Sequence, residues 1–252
     1  MRRFFAGQPL ETAQPGQPLT LPQVEAEHLR KVLRLTAGDG IELFDGQGRA
    51  VNAVVTSVDR RQVVVRIDSS PGLSIPPRPR LTIAVAPPKG ERFRWLVEKC
   101  VELAVDRIVP VIAHRSVVEP GDGKLKKLTD VVIAACKQSG RNDLLVIEPS
   151  IDWQAFLAQW TAGARLQPGG CLLLADPHGR PLAEQLARLP SEATTEVTVL
   201  IGPEGGLTPE ETERATAAAA LPVSLGVYIQ RVETAAVAMA ASLRTWTATR
   251  QV

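Results

Sequence analysis

Two short stretches in the C-terminal part of this 252-residue chain carry residue types suited to holding a ligand. The first is Leu200-Ile201-Gly202-Pro203-Glu204-Gly205-Gly206. The second is Leu225-Gly226-Val227-Tyr228-Ile229-Gln230-Arg231-Val232-Glu233-Thr234-Ala235. Three glycines and a proline in five residues leave a backbone with little side-chain cover, free to adopt positive φ and to offer main-chain N–H and C=O groups to a ligand. A plain tight turn between a strand and a helix has the same composition, so the first stretch alone leaves both readings open. It is not a P-loop, because no Gly-Lys-Ser/Thr follows, and it is not the G-x-G-x-x-G dinucleotide turn. Glu204 also argues against an anion nest, since a carboxylate facing inward repels phosphate. In the second stretch Arg231 stands beside an apolar run, where a guanidinium calls for a partner: Glu233 in an ion pair, or an anionic ligand.

The elements that must position these stretches can be read around them. Val197 to Ile201 is an apolar β-branched run, and Thr208-Pro209-Glu210-Glu211 supplies a helix N-cap, a first-turn proline and a capping box. Pro222 to Leu225 reads as a strand broken by Gly226, and Thr234 to Trp246 as an alanine-rich helix with a threonine at its start. Each glycine stretch therefore joins a strand to a helix. Upstream the alternation continues: strands at Leu81–Ala86, Ile108–Ile112, Leu144–Ile147 and Cys171–Ala175, and helices over Phe93–Ala104, Leu125–Cys136 and Trp153–Trp160. Such alternation predicts a parallel sheet with helices on both faces, whose ligands bind beyond the carboxyl ends of the strands. Asp176-Pro177-His178-Gly179 falls at another such end. Residues Ser69 to Arg80, with Pro76-Pro77-Arg78-Pro79, read as a linker. Before it, the short runs Ile41–Phe44, Ala50–Val55 and Val63–Ile67 alternate with Gly/Asp turns as in a small β-barrel, and His28–Leu33 reads as a helix.

Taken together, Ile-Gly-Pro-Glu-Gly-Gly-Leu-Thr-Pro-Glu-Glu and Leu-Gly-x-x-Ile-x-Arg-x-Glu-Thr-Ala resemble the C-terminal signature of the 16S rRNA uridine N3-methyltransferases (RsmE-like) of the SPOUT superfamily. The likeness extends to Met1-Arg2-Arg3-Phe4-Phe5, to His28-Leu29-Arg30-Lys31-Val32-Leu33-Arg34 with Gly38-Asp39, and to Lys89-Gly90-Glu91-Arg92. Glu98-Lys99-Cys100-Val101-Glu102-Leu103 and Gln138-Ser139-Gly140-Arg141 complete it. The chain departs from the family pattern at Gln230, where leucine is usual, at Lys137, where glutamate is usual, and at Ala104, where glycine is usual.

The resemblance implies an α/β fold with a trefoil-knotted SPOUT methyltransferase domain over residues 73–252, preceded by a small PUA-like RNA-binding β-barrel over residues 1–72. It implies S-adenosylmethionine as cofactor, held by Leu200, Gly202, Pro203, Glu204 and Gly205 of the first stretch and by Leu225, Gly226, Gln230 and Arg231 of the second. It implies 16S rRNA or the small ribosomal subunit as partner, and a homodimer. The acceptor in such a reaction, N3 of uridine, is protonated at neutral pH, so a base or an environment favouring the anion is needed. Arg231 is the catalytic candidate, stabilising charge that develops on the uracil carbonyls, with Glu233 orienting it. Arg2, Arg3, Arg30, Arg34, Lys89, Arg92, Gln138, Ser139, Arg141 and Asn142 are the candidates for RNA contact. Two further readings stay open: a related enzyme acting on another base or on ribose 2′-O, and an RNA-binding protein without catalysis.

Composition narrows the class further. Net charge is only +2, but residues 78–141 hold 13 Lys/Arg against 7 Asp/Glu, whereas residues 142–252 hold 7 against 12. A basic middle section is what a phosphate-binding face requires, although solvated helix faces give the same count. No run approaches a membrane span, and the apolar run after Arg2-Arg3 is too short for a secretory signal, so a cytoplasmic protein is expected. Cys100, Cys136 and Cys171 are widely spaced in apolar surroundings and read as buried free thiols, with no metal site. The lone histidines His114 and His178 read as structural.

Overall fold

The computed structural model describes residues 1–163, 169–189 and 194–248. The chain forms two compact units, Met1–Pro76 with Ile133–Leu144, and Pro77–Val132 with Leu145–Val252.

In the first unit, β1 (Arg2–Phe5), β2 (Pro18–Thr20), β3 (Gly40–Phe44), β4 (Arg49–Val58), β5 (Val63–Ile67) and β6 (Gly72–Leu73) form one sheet. Its order is β1-β3-β4-β5-β2, with β6 on β4; β1 and β3 run parallel and the other pairs antiparallel. Alternation along the strands turns Phe4, Leu19, Ile41, Leu43, Val51, Ala53, Val55, Val63 and Val65 into a single buried cluster. A short helix, α1 (Gln23–Glu27), leads into a wider π-helical turn over His28–Leu33, closed by Arg34 in the left-handed region. That turn stands where an ordinary helix is expected. The linker reading is likewise modified, since β6 lies inside it.

Residues 133–144 belong to this unit through Arg3. Its guanidinium donates to the carbonyls of Cys136 at 2.8 Å and Arg141 at 3.4 Å, to Asn142 Oδ1, and to Glu42 Oε1 at 2.6 Å. Lys137 pairs with the buried Glu25 at 2.8 Å. Cys136 lies beneath this network, and burial pushes its thiol up to about 11.

The second unit is built on β7 (Arg80–Val85), β8 (Arg107–Ile112), β9 (Val146–Ile147), β10 (Ile151–Asp152), β11 (Gly170–Pro181), β12 (Glu196–Ile201) and β13 (Leu221–Ser224). All pair in parallel, in the order β10-β8-β7-β12-β11-β13 with β9 also on β8. Between them run α2 (Glu91–Glu102), α3 (Asp122–Ser139), α4 (Trp153–Thr161), α5 (Leu182–Arg188), α6 (Pro209–Ala217) and α7 (Val232–Ala248). Ala84, Val109, Leu172, Leu174 and Leu200 face Trp153 and Phe156 of α4 and Ala215 of α6. The alternate residues Ile83, Leu173 and Val199 are equally buried on the opposite face, where α7 runs along β7 and β12 and packs on α2.

The bounds of β11 and α7 differ from those expected, and two short elements were not expected. β11 continues through Asp176–Gly179 to Pro181, because after a register shift Arg180 and Pro181 pair again with β13. The helix α7 begins two residues before Thr234, since the Arg231 carbonyl already accepts from Ala235 N–H at 2.9 Å. β10 and α5 carry too few periodic residues to stand out in the sequence.

Candidate functional site

In the sheet order β11 lies between β12 and β13, so the carboxyl ends of three neighbouring strands meet at one edge. The loop after β12, the loop after β13 and the irregular stretch of β11 converge there around a cavity of about 1130 Å³. Such strand ends are where open parallel sheets bind ligands. Gly202, Pro203, Glu204, Gly205, Leu225, Gly226 and Gln230 all line this cavity. Two of the expected residues do not. Leu200 is fully buried in the core beneath it, and Arg231 is exposed, flanked by the lining residues Gln230 and Val232.

The first loop is held by its own chain and by neighbours. The N–H of Gly206 donates to the Pro203 carbonyl at 2.9 Å and closes a four-residue turn, and Gly206 itself sits at φ 72°, a conformation that favours glycine. The capping box forms as expected: Thr208 Oγ accepts from Glu211 N–H at 3.2 Å, and Glu211 Oε2 accepts from Thr208 N–H at 2.8 Å. The second oxygen of Glu211 accepts from His114 N–H at 2.7 Å, which ties the loop to the segment after β8. Arg115, next in that segment, donates to the Gly205 carbonyl at 2.9 Å. At Gly202 any β-carbon would sit 2.8 Å from Leu207 Cγ and Cδ2, so the loop closes on Leu207 only because position 202 has no side chain.

The cavity is lined by the apolar residues Ile201, Leu207, Val223, Leu225, Val232, Ala235 and Met239, and by polar residues that include Asp176, His178, Glu204, Thr212, Glu213 and Thr216. Three carboxylates line it and, among the described residues, no lysine or arginine does. A phosphate-bearing ligand is repelled by such a lining, and a flat apolar ligand carrying positive charge suits it. The Oε1 atom of Gln230 is buried without a hydrogen-bond partner. Sequence reading missed Thr212, Glu213 and Thr216; the signal was the capping box, which fixes α6 directly after the loop and turns its first residues toward the same opening. His178 lines the cavity, and His114 contributes its main-chain N–H.

Glu233 is not beside Arg231. Its carboxylate, in the first turn of α7, faces Arg92 of α2, whose guanidinium also meets Glu204. Of the residues expected to meet RNA, Arg2, Arg34, Lys89, Gln138 and Ser139 are exposed. Arg30 donates to the Asp59 carbonyl at 2.7 Å. Arg3 and Arg141, with side chains only 10% and 9% exposed, are engaged inside the first unit: Arg3 with Glu42, Asn142 and two carbonyls, and Arg141 with Asp143 at 2.7 Å. Among the described residues no cluster of side chains could hold a metal ion, and no helix is long and apolar enough to cross a membrane.

Residues 76–244 match the family described as RNA methyltransferase domain, and residues 22–68 the family described as RNA methyltransferase PUA domain. A protein of Rickettsia conorii named Ribosomal RNA small subunit methyltransferase E is 30% identical over 223 residues, covering 86% of this chain and 85% of that one. The crystal structure of a Ribosomal RNA small subunit methyltransferase E from Neisseria gonorrhoeae, bound to S-adenosyl methionine, superposes with a TM-score of 0.85 at 29% identity over 97% of both chains. A putative methyltransferase from Legionella pneumophila, solved with the cofactor SAM bound, gives a TM-score of 0.82 at 30% identity over 96% of both chains.

Proposed function

Since this chain belongs to the RNA methyltransferase family, we propose that it transfers a methyl group from S-adenosylmethionine to small-subunit ribosomal RNA, at N3 of a uridine in 16S rRNA. The observation that carries this reading is the meeting of both glycine loops around one cavity with a carboxylate-rich lining. Its volume, about 1130 Å³, lies just above the usual range for small-molecule sites, about 300–1,000 Å³, and leaves room for a ligand of cofactor size. The apolar lining residues suit adenine and the carbons next to the sulfur, while Asp176, Glu204 and Glu213 suit a ligand with a sulfonium and an ammonium. The residues present therefore fit the cofactor, with Gly202 to Gly205, Leu225, Gly226 and Gln230 as its holders. When bound, it supplies an electrophilic methyl group, so the protein's task is to align the acceptor and exclude water.

A role for Arg231 on the acceptor side is supported by its position between two lining residues, its exposure, and the lack of a carboxylate partner among the described residues. A free guanidinium there stabilises negative charge on the uracil carbonyls as N3 gives up its proton to solvent water. In the first unit, Arg2, Arg34, Gln138 and Ser139 are available for RNA, and in the second Lys89. Arg3 and Arg141 serve their own unit instead. The division into an RNA-holding domain over 1–72 and a transferase over 73–252, the trefoil knot and a cytoplasmic location belong to the same reading.

So does the homodimer. Val227, Tyr228 and Ile229, at the tip of the second loop, are three consecutive large apolar residues in the open, and α7 leaves a row of modest side chains (Val237, Ala238, Ala241, Ser242) half exposed. A second copy of the chain covering both is the economical partner.

Incubating the purified protein with labelled S-adenosylmethionine and small subunits from cells lacking the enzyme tests the proposal. N3-methyluridine in 16S rRNA is the expected product by nucleoside mass spectrometry. A methyl on ribose or on another base moves the chain to a sister activity, and RNA binding without transfer makes it a non-catalytic RNA-binding protein.

A further inference from the structure

The two glycine loops follow β12 and β13, which are not neighbours in the sheet, because β11 lies between them. The ladders of β11 space the two strands, but none joins β12 to β13 directly, and the loops lie beyond the strand ends. A side chain from a third element reaches both. Arg92, the second residue of α2, brings one nitrogen, Nη1, to 3.1 Å from Glu204 Oε1 and 3.7 Å from Glu233 Oε2. Glu204 is the central residue of the first loop and lines the cavity, while Glu233 follows the second loop directly at the start of α7.

The three groups are unequally buried. Side-chain exposure is 37% for Arg92 and 35% for Glu204 but 10% for Glu233. Glu233 Oε2 has no hydrogen-bond partner, and among the described residues Arg92 is the sole cation paired with that carboxylate. A buried carboxylate that loses its one counter-charge is strongly destabilised where it stands, and the chain around it shifts to reach water. The start of α7 carries Arg231 and Val232 with it, so a shift there alters both the cavity wall and the proposed acceptor-side residue. Arg92 is thus engaged by two carboxylates of its own unit, which argues against the RNA contact that sequence reading gave it.

We infer that Arg92 is a positioning residue that sets the spacing of the two cofactor loops, acting on S-adenosylmethionine affinity and not on RNA affinity. This rests on the cofactor assignment made above. The test uses the full chain. Calorimetric titration with S-adenosylmethionine alone is compared with filter binding of a small-subunit rRNA fragment in the absence of cofactor. Arg92→Ala raises the cofactor Kd about 10-fold, equivalent to about 1.4 kcal/mol, and raises its KM alike, while RNA Kd and RNA KM stay within about twofold. Arg92→Lys, whose compact ammonium reaches one carboxylate at a time, raises the cofactor Kd about threefold. Arg92→Ala combined with Glu233→Gln, which removes the charge that needs compensation, recovers most of the loss. Unchanged cofactor affinity in Arg92→Ala overturns the inference, as does a loss confined to RNA binding. Should Arg92→Ala fail to fold, Arg92→Lys carries the test, and a cofactor Kd equal to the parent's overturns it. A parent protein that binds RNA but no S-adenosylmethionine refutes instead the cofactor assignment beneath it.

Discussion

Replacing Gly202 by alanine probes whether the first glycine loop is shaped by contact or by backbone freedom alone. The backbone at Gly202 is not in the left-handed region, so an L-residue is conformationally acceptable there. The obstacle is Leu207: a β-carbon at position 202 would lie 2.8 Å from Leu207 Cγ and from Cδ2. Ordinary carbon contacts begin near about 3.5 Å, so Leu207 must retreat by about 0.7 Å or more. It can do so only into the cavity it lines or into the cluster of Ala84, Val109 and Trp153 against which it packs. Overpacking of this kind costs about 1–3 kcal/mol. If that cost falls on the bound form, it corresponds to roughly a 5- to 150-fold loss of affinity.

The assay is calorimetric titration with S-adenosylmethionine, with thermal melting alongside. Gly202→Ala weakens binding about 30-fold, the middle of that range, and Gly202→Val, with two more methyl groups, abolishes it. The decisive comparison is Gly202→Ala with Leu207→Ala. Removing the leucine side chain opens the space that the new methyl needs, so the double variant binds within about threefold of Leu207→Ala alone, a coupling expected only of residues in contact. Gly226 supplies the contrast: at φ 139° with nothing within 4 Å, alanine there is strained through its backbone, and Leu207→Ala gives no relief. Equal affinity for Gly202→Ala and the parent, or additive effects in the double variant, refutes the contact argument.

Arg231→Ala lowers methyl transfer about 100-fold, as loss of one charge-stabilising donor does, while cofactor Kd and melting temperature hold because its side chain is exposed and outside the cavity lining; full activity in single-turnover kinetics removes Arg231 from the reaction. Ala104 sits at φ 54°, where a side chain is strained, so Ala104→Gly stabilises the chain by about 0.5–1 kcal/mol, seen as a rise of roughly 1–4 °C in melting temperature; a fall in melting temperature contradicts this. Burial lifts the thiols of Cys136 and Cys171 from 9.0 to about 11, which leaves them protonated at about pH 8. Their alkylation by iodoacetamide is therefore about 100-fold slower in native than in denatured protein, measured by mass spectrometry of the modified peptides.

What the sequence made legible was local. Thr208 and Glu211 cap α6 within a single turn, so their pattern is visible without knowing the fold, and both glycine stretches stand out because glycine and proline act on their own backbone. Pairings distant in sequence were not legible. β11 runs past Gly179 because β13, far along the chain, offers partners in a shifted register. Arg3, next to the amino terminus, reads as a surface charge, and only the fold brings the Cys136 and Arg141 carbonyls to it. The departures from the family pattern carried more information than they showed: Lys137 has Glu25 as its ion-pair partner, and Ala104 occupies the conformation that makes glycine usual there.

The charge distribution shows how a count misleads until the pairs are known. The positive balance of residues 78–141 reads as a phosphate-binding face, yet several of its arginines are counter-charges to the protein's own acids. Arg80 and Arg244 share Asp106, Arg107 meets Glu148, Arg92 meets Glu204 and Glu233, and Arg141 meets Asp143. Lys89, Arg94, Lys124, Lys126 and Lys127 remain exposed and outside any ion pair among the described residues. Only charges of this second kind release counterions when a phosphate arrives, so the electrostatic part of RNA affinity scales with the free set and not with the full basic count of the segment. The negative balance of residues 142–252 has a different origin. Asp176 and Glu213, in no ion pair among the described residues, come from that stretch because the strands and loops forming the cavity do, and with Glu204, which Arg92 compensates, they give the lining a sign that favours a cationic methyl donor over nucleotides bearing phosphate. The same near-neutral chain thus carries a set of free cations that attracts a polyanion and a cavity lining that repels one.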